Sequence, residues 1–494
     1  WRDSDEFATS DGPLLLRRRF EFPAPADGER AWVVLGGVFY QADLWFDGAY
    51  IGDPEGYFFP HSFDVTSLAR LADEHVLAVE VACAPHRSHK GRRNITGVFQ
   101  QWHAADRSWN PGGLWRPVTV ERTGPVRLDR LRVLCRDAND TRAHLRLHAR
   151  LDSDEPRQVR IRTTVTVPGR RSEVLSEFDQ SLARGANAVG WNLDVANPTL
   201  WWPWSLGDQP LTQVDVEVLA DGVVSHGRST RTGLREVAMQ DWIFSVNGER
   251  LFLKGANLAP TRLDIANATD ADFRRDIELA RDAGLDMLRV HGHISAQPLY
   301  DAADELGMLL WQDFPLQWSY AREVRRRAVA QADEAVFELG HHPSIITWSA
   351  HNEPTGTAPT TAVTPRTGRR AALARIAAQQ VPTWNKNVLD RWVKRALEKA
   401  DESRPVTTHS GVMPHIPEVG GTDSHLWFGW YHGDERDLAG FAVAMPRMVR
   451  FVSEFGAQAV PNSTGYIDPA AWPALEWDTL EQRYGLQRAV MERH

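Results

Sequence analysis

Two glutamates about a hundred residues apart carry the clearest chemistry in this chain. Glu353 closes the run Ile345-Ile346-Thr347-Trp348-Ser349-Ala350-His351-Asn352-Glu353-Pro354, and Glu454 closes Val449-Arg450-Phe451-Val452-Ser453-Glu454-Phe455-Gly456. A carboxylate at the C-terminal end of a buried strand is costly unless something uses it. In an α/β barrel that end is where reacting groups sit. Two such carboxylates facing across a pocket can cleave a glycosidic bond. One protonates the leaving oxygen; the other attacks or stabilises the oxocarbenium-like carbon. A separation of roughly 5–5.5 Å gives retention through a covalent intermediate. Either residue alone reads equally well as a helix-cap neighbour or a surface ion pair; the two together, in these peptides, do not. Asn352, beside Glu353, is placed to hydrogen-bond a sugar 2-hydroxyl.

Other residues widen the candidate site. His291, His293 and His351 gather at the expected mouths of strands 2 and 4. Three histidines invite a metal reading, but hydrogen bonding to sugar hydroxyls accounts for them as well, so neither metal nor cofactor is expected. Trp427 and Trp430, in His425-Leu426-Trp427-Phe428-Gly429-Trp430, follow strand 6 and could form a sugar-stacking wall. Core packing is an equal reading for Trp427. Asp313 and Trp384 fall on the same face without an assigned role.

The elements that must position these residues change period along the chain. Residues 1–122 hold short β-branched and aromatic runs, Ala31–Phe39, Ala42–Phe46 and Val76–Val81, with Asp47-Gly48 as a hairpin turn. They predict a jelly-roll β-sandwich. Residues 123–233 alternate polar and apolar, as in Val159–Val167 and Val214–Val218, at a length that suits an immunoglobulin-like β-sandwich. From 234 to 494 apolar strands alternate with amphipathic helices, which predicts a (β/α)8 TIM barrel. The expected strands are Leu251–Lys254, Met287–Val290, Met308–Gln312, Ile345–Ser349, Val406–Thr408, His425–Phe428 and Val449–Val452. Helices are expected over Asp270–Ala283, Pro298–Leu306, a stretch ending near Leu339, and Asn387–Glu402. A long loop, Pro354–Pro382, follows strand 4. No eighth strand is apparent after Glu454, where a Pro- and Trp-rich stretch and a helix-like run, Leu480–Glu492, follow. The expectation is a barrel truncated before strand 8, in a fragment of a longer protein.

Composition narrows the partners. The chain has 494 residues, too many for one core. A net charge of -9 argues against nucleic acid, whose phosphates need a basic stripe. No apolar run is long enough to span a membrane. The 20 tryptophans fit sandwich cores with a few sugar platforms. Cys83 and Cys135 are expected to be free buried thiols rather than a disulfide framework. The start at Trp1 carries neither Met nor a leader; the cytoplasm is slightly favoured and the compartment stays open. The expected partner is a carbohydrate substrate, and the oligomeric state is not read.

The sequence resembles glycoside hydrolase family 2 over nearly its whole length. The resemblance is carried by Ala42-Asp43-Leu44-Trp45-Phe46-Asp47-Gly48, Phe63-Asp64-Val65-Thr66 and Gly112-Gly113-Leu114-Trp115-Arg116-Pro117-Val118 in the first unit. It continues through Thr232-Gly233-Leu234-Arg235-Glu236, the barrel entry Val246 to Asn257, Leu306 to Phe314, and His342-Pro343-Ser344-Ile345-Ile346-Thr347-Trp348. It implies Glu353 as acid/base, Glu454 as nucleophile, and Arg289 as the group that orients the nucleophile and keeps it ionised. Ser453-Glu454-Phe455-Gly456-Ala457-Gln458 is most similar to the β-mannosidase branch. Three features depart from it: Arg289-Val290-His291-Gly292-His293, Ala350-His351-Asn352, and Ser108-Trp109-Asn110-Pro111 near the place of a Gly-Trp-Asp-Trp loop. Trp109 is the remaining candidate binding residue, in a pocket reshaped by these departures. The resemblance thus implies a retaining exo-β-glycosidase acting by double displacement, with β-mannosides as the first substrate class. β-Galactosidase, β-glucuronidase and exo-β-glucosaminidase activity are the alternatives within the family, and a non-catalytic carbohydrate-binding protein the alternative outside it.

Overall fold

The computed structural model describes residues 12–85, 91–100, 111–170, 173–262, 264–354, 381–412, 423–427, 435–456 and 477–478. Two stacked β units come first. In one, a four-stranded antiparallel sheet runs in the order Leu14–Glu21, Glu74–Ala82, Gln41–Phe46, Ala49–Gly52. It faces a three-stranded sheet of His61–Asp64, Arg30–Leu35 and Val118–Thr123. The alternation along Glu74–Ala82 buries Leu77, Val79 and Val81 against Val33, Leu35 and Phe46. The hairpin is where Asp47-Gly48 predicts it, with φ of 51° and 83°, the left-handed pair of a type I′ turn.

The next unit pairs a three-stranded sheet (Val126–Ala138, Arg142–Ser153, Gly185–Ala196) with a four-stranded one. The latter runs Val174–Leu182, Arg157–Thr166, Thr212–Ala220, Val223–Thr232. Leu145, Leu147, Ile161, Val216 and Val218 fill the space between them. Cys83 and Cys135 are both free and buried.

The remainder holds the parallel strands. Strands β1 (Gly255–Leu258), β2 (Met287–Val290), β3 (Leu309–Asp313), β4 (Ile345–Ser349) and β5 (Val406–Thr407) form one parallel sheet in sequence order. Strands β6 (Ser424–Leu426) and β7 (Val452–Phe455) form a separate parallel pair. Helices α1 (Asp270–Asp282), α2 (Gln297–Leu306), α3 (Arg325–Leu339) and α4 (Asp390–Ala400) lie between them in the chain. Thr269 and Asp272 close a capping box at the start of α1, and Gly307 ends α2 in the left-handed region. Every residue of β2, β3 and β4 is buried, as strands covered on both faces must be.

Two strands differ from expectation. Leu251 does not start a parallel strand; Asn247 and Gly248, with φ of 50° and 84°, fold Ile243–Val246 back onto Glu249–Leu251 as a hairpin. The parallel strand starts at Gly255. Near the other end, Pro446–Val449 is a 3-10 turn, so the strand moves on to Val452–Phe455 and Glu454 lies within it. Helix α4 also starts later than expected, at Asp390, because Asn387 takes a φ of 92°. Residues 355–380 of the expected loop, the stretch 413–422 and the expected run Leu480–Glu492 lie outside the described residues. Among the described residues no helix is long and apolar enough to cross a membrane.

The β units are tied to the parallel strands by buried groups. Phe39, Tyr57, Phe99 and Trp115 share one apolar cluster with Val290, Leu310 and Trp348. Gly97 sits so close to Gly292 that a Cβ would collide with its carbonyl oxygen, and Val98 N–H donates to that oxygen at 3.1 Å. Arg235 donates to the carbonyls of Pro343 (2.8 Å) and Ile345 (2.9 Å) at the start of β4. Removing that guanidinium empties a buried site and takes the donor from the Pro343 carbonyl, while Ile345 keeps a bond from Arg404 at 2.9 Å. Arg235→Ala is expected to cost about 3 kcal/mol or more, read as a fall in the urea unfolding midpoint. Arg160→Ala, which breaks only an exposed pair with Asp179, leaves the midpoint nearly unchanged.

Candidate active site

Parallel strands present their C-terminal ends together, and the site is built there. Arg289 on β2 is 2% exposed and reaches four ways. Its Nε donates to Asp313 on β3 at 3.1 Å, with a further nitrogen 2.9 Å from the same carboxylate. One terminal nitrogen donates to Glu454 Oε1 on β7 at 2.8 Å, and the other to Asn352 Oδ1 beyond β4 at 2.8 Å. Asp313 in turn accepts from Gly292 N–H (3.0 Å) and from the Trp311 indole (2.9 Å). The role left open for Asp313 is thus filled: it orients Arg289 and supplies the counter-charge that its burial requires.

Burial alone would raise the Glu454 pKa. The His425 charge, a hydrogen bond to His291 and the Arg289 charge overcome it and hold the carboxyl well below the ordinary carboxylate range. Glu454 is therefore an anion poised inside a cationic cradle. Burial likewise opposes the charge of Arg289, and Asp313 and Glu454 more than offset it.

Glu353 follows β4 at a φ of 45°, a left-handed backbone position that turns its side chain toward β6 and β7. Its Oε2 accepts the Trp318 indole N–H at 3.0 Å, and its Oε1 lies 2.9 Å from His425 Nδ1. His425 is paired in register with Glu454 across the β6–β7 ladder, and its Nε2 lies 3.4 Å from Glu454 Oε1. One oxygen of Glu353 and one of Glu454 lie within 4.8 Å of each other. That is close to the separation of a retaining pair.

The sequence-derived residues divide. Glu353, Glu454, Asn352, Arg289 and His291 converge; His291 Nε2 is 3.1 Å from Asn352 Nδ2 and 3.4 Å from Glu454 Oε1. Trp427 stands beside them, its ring edge-on to His425 with centroids 6.3 Å apart. His293 and His351 do not join the site, which corrects the expectation of three histidines at its mouth. His293 is fully buried, with Nδ1 on the His291 carbonyl oxygen at 3.0 Å and its ring edge-on to Phe99. His351 is fully buried beneath Trp318, whose carbonyl oxygen lies 2.7 Å from its Nε2. Burial pushes both imidazoles down to about 4, so they pack as neutral rings. Trp384 packs instead near the Arg322 guanidinium, 5.9 Å from its ring. Trp109 and Trp430 lie outside the described residues. Sequence reasoning passed over His425, Trp318 and Ser410. For His425 a signal existed: an imidazole inside the short strand that pairs with the Glu454 strand.

A metal reading fits the cluster of Glu353, His425 and Glu454 poorly. Each carboxylate meets a different ring nitrogen, whereas a zinc ion needs its donors to converge on one point at about 2 Å. The arrangement is a hydrogen-bonded chain. Asp304 and His342, 2.6 Å apart, form a second buried group with Asp301. Asp304 also caps Ser344 N–H at the start of β4, a structural task.

If Arg289 holds two buried carboxylates, its loss must expose their repulsion. Arg289→Met is expected to destabilise the fold by about 3–5 kcal/mol at neutral pH. The Arg289 charge is one of the groups that hold the folded Glu454 carboxyl below its unfolded value. A carboxyl lowered in this way contributes stability above its unfolded pKa and loses it as pH falls toward the folded pKa. The variant forgoes part of that contribution, so its deficit should be larger near neutral pH than near pH 3, measured as paired denaturation curves.

Comparison with known proteins agrees with this architecture. Residues 8–116 match the domain described as glycosyl hydrolase 2 galactose-binding domain-like, and residues 126–235 match glycosyl hydrolases family 2. A β-mannosidase B of Aspergillus clavatus is 26% identical over 90% of this chain and 55% of its own length. One of Thermothelomyces thermophilus is 27% identical over 90% of this chain and 54% of its own. The chain thus spans about half the length of the curated relatives it matches. Among solved structures, a β-D-mannosidase from Dictyoglomus thermophilum shares the fold at a TM-score of 0.73 and 20% identity, covering 91% of this chain and 56% of that one. A Bacteroides uniformis β-glucuronidase does so at a TM-score of 0.71 and 20% identity, covering 91% and 54%. Both β units thus match domain models of glycosyl hydrolase family 2, and the chain is similar to β-mannosidase relatives along 90% of its length.

Proposed function

We propose that this chain carries the reacting centre of a retaining exo-β-glycosidase, with β-mannosides as its first substrate class. The observation that carries the reading is the Glu353–Glu454 pair, with carboxylate oxygens within 4.8 Å of each other. The parallel strands are read as those of a (β/α)8 barrel over residues 234–494. Residues 1–122 are read as a jelly-roll sandwich and 123–233 as an immunoglobulin-like one. The mannoside preference rests on the names of the curated relatives.

The mechanism follows from the charges. Glu454, held as an anion by Arg289, attacks the anomeric carbon as that carbon's bond to the leaving oxygen breaks. Glu353 protonates the leaving oxygen, so the aglycone departs as an alcohol. Water then enters, gives a proton to Glu353, and its oxygen displaces Glu454 from the sugar. Two inversions give net retention. Asn352, fixed by Arg289, presents its amide to the ring hydroxyl next to the reacting carbon, where a hydrogen bond strengthens in the transition state.

The test is a panel of aryl β-mannoside, β-galactoside, β-glucuronide and β-glucosaminide with the full chain. Fastest release from the mannoside is the expected result. Glu454→Gln should abolish release, and Glu353→Gln should slow it by about 10²–10⁴-fold. A 2-deoxy-2-fluoro glycoside should label Glu454, located by peptide mass. A folded chain that neither turns over any member of the panel nor takes the label would favour a carbohydrate-binding protein without catalysis.

A further inference from the structure

The two carboxylates are joined by one imidazole. His425 Nδ1 lies 2.9 Å from Glu353 Oε1, and Nε2 lies 3.0 Å from Ser410 Oγ and 3.4 Å from Glu454 Oε1. The donors in this chain can be assigned. Ser410 Oγ–H donates to Asp423 Oδ2 at 2.6 Å, so its lone pair is what faces Nε2. Ser453 Oγ–H donates to the same Asp423 oxygen. On the other side, Glu353 Oε2 already accepts the Trp318 indole proton, leaving Oε1 as the acceptor for Nδ1. Nδ1 therefore faces an acceptor, and Nε2 faces the Ser410 lone pair and the Glu454 carboxylate with the Arg289 guanidinium 3.3 Å away; an imidazolium can donate on both sides.

The charges around the ring agree. Among the described residues, Glu353 faces it from the end of β4, Glu454 from β7, and Asp423 from the start of β6 at 3.8 Å. Against them stands Arg289 from β2, 3.3 Å from Nε2 and committed to Asp313 and Glu454. His291 approaches Glu454 from the same side. Burial disfavours the imidazolium, but Glu454 and Glu353 outweigh it, so His425 keeps its proton above the ordinary histidine range. The seat is also cut to the ring: a Cβ on Gly411, which has a φ of 76°, would collide with it.

We infer that His425 is a positioning residue that stores the proton Glu353 delivers. The inference rests on the glycosidase reading above. In the empty site the proton sits on Nδ1, against an ionised Glu353. When a glycosidic oxygen is bound, the proton crosses from Nδ1 to the Glu353 carboxylate and then to that oxygen. The bond from the anomeric carbon to the leaving oxygen breaks as the bond to Glu454 forms. The pair is left as neutral imidazole and carboxylate, the form that can accept a proton from water in the second step. That proton returns to Nδ1, and the cycle closes without any other reactant. One proton is shared by two groups, so its loss at high pH belongs to the pair and not to a lone carboxyl.

Two measurements decide this. The full chain is labelled with ¹⁵N-histidine and its ring nitrogens are followed with pH, His425 being assigned by its absence in His425→Asn. Both nitrogens should be protonated at about pH 7, with a midpoint that falls by about one unit or more in Glu353→Gln. A neutral ring at that pH, or a midpoint indifferent to Glu353→Gln, overturns the inference. The second measurement is the pH profile of kcat/KM on the aryl β-glycoside that is turned over. Asn at 425 keeps an N–H for Glu353 but cannot hold the proton. The basic limb should move to lower pH by about one unit or more, with KM little changed. A variant that loses kcat at every pH with its basic limb in place would show a structural role only and also overturn it. If no glycoside is cleaved, the glycosidase reading fails by itself, and the ring titration still judges the proton assignment.

Discussion

The buried guanidinium of Arg289 is the contact on which the rest of the site depends. A cation taken out of water must be paired and hydrogen-bonded, or the fold rejects it. Here the pairing is distributed over β3, the turn beyond β4, and β7. Each partner is held at a definite distance because the same planar fork serves them all. Asp313 is the permanent counter-ion. Glu454 is the partner whose charge can be used, since an anion gripped by a cation on one face still offers an oxygen on another.

Strand register supplies the second constraint. In a parallel ladder, residues in register project side chains to the same side, so the His425–Glu454 pairing puts an imidazole beside the nucleophile candidate. Glu353 reaches the same ring from beyond β4 through a left-handed turn. The two acidic groups thus share a neighbour without sharing a strand. Trp318, held above His351 through its carbonyl oxygen, closes the other side of Glu353. Buried His351, which looked like a ligand, supports this wall from beneath.

The β units take part in this arrangement. The turn at Gly97 packs on Gly292, directly after the β2 segment that carries Arg289 and His291. Arg92, also from the first unit, donates to the Gln317 carbonyl beside Trp318 at 3.2 Å. The apolar cluster shared by the first unit and the parallel strands makes their relative placement a matter of core packing. The position of the site's rim is therefore set by contacts that lie outside the parallel strands.

Much of this was legible in the residue pattern. Alternation with a period of two marked the sandwich strands, and the Asp47-Gly48 turn was visible because only a left-handed pair closes so short a hairpin. Buried runs such as Ile345–Ser349 marked the parallel strands, carboxylates closing two such runs marked Glu353 and Glu454, and the resemblance to a known family assigned their roles and added Arg289. The Asn247-Gly248 hairpin, though equally visible, was masked by the apolar run after it, so the first parallel strand was placed too early. What the pattern could not decide was direction and partnership. His291, His293 and His351 look alike as letters, yet one faces Glu454 and two face the core, because side-chain direction is decided only once neighbouring segments compete for the same space. The meeting of His425 with both glutamates likewise required three segments far apart in the chain to lie side by side. Local sequence determines which residues can do the chemistry; packing between distant segments determines which of them stand close enough to do it.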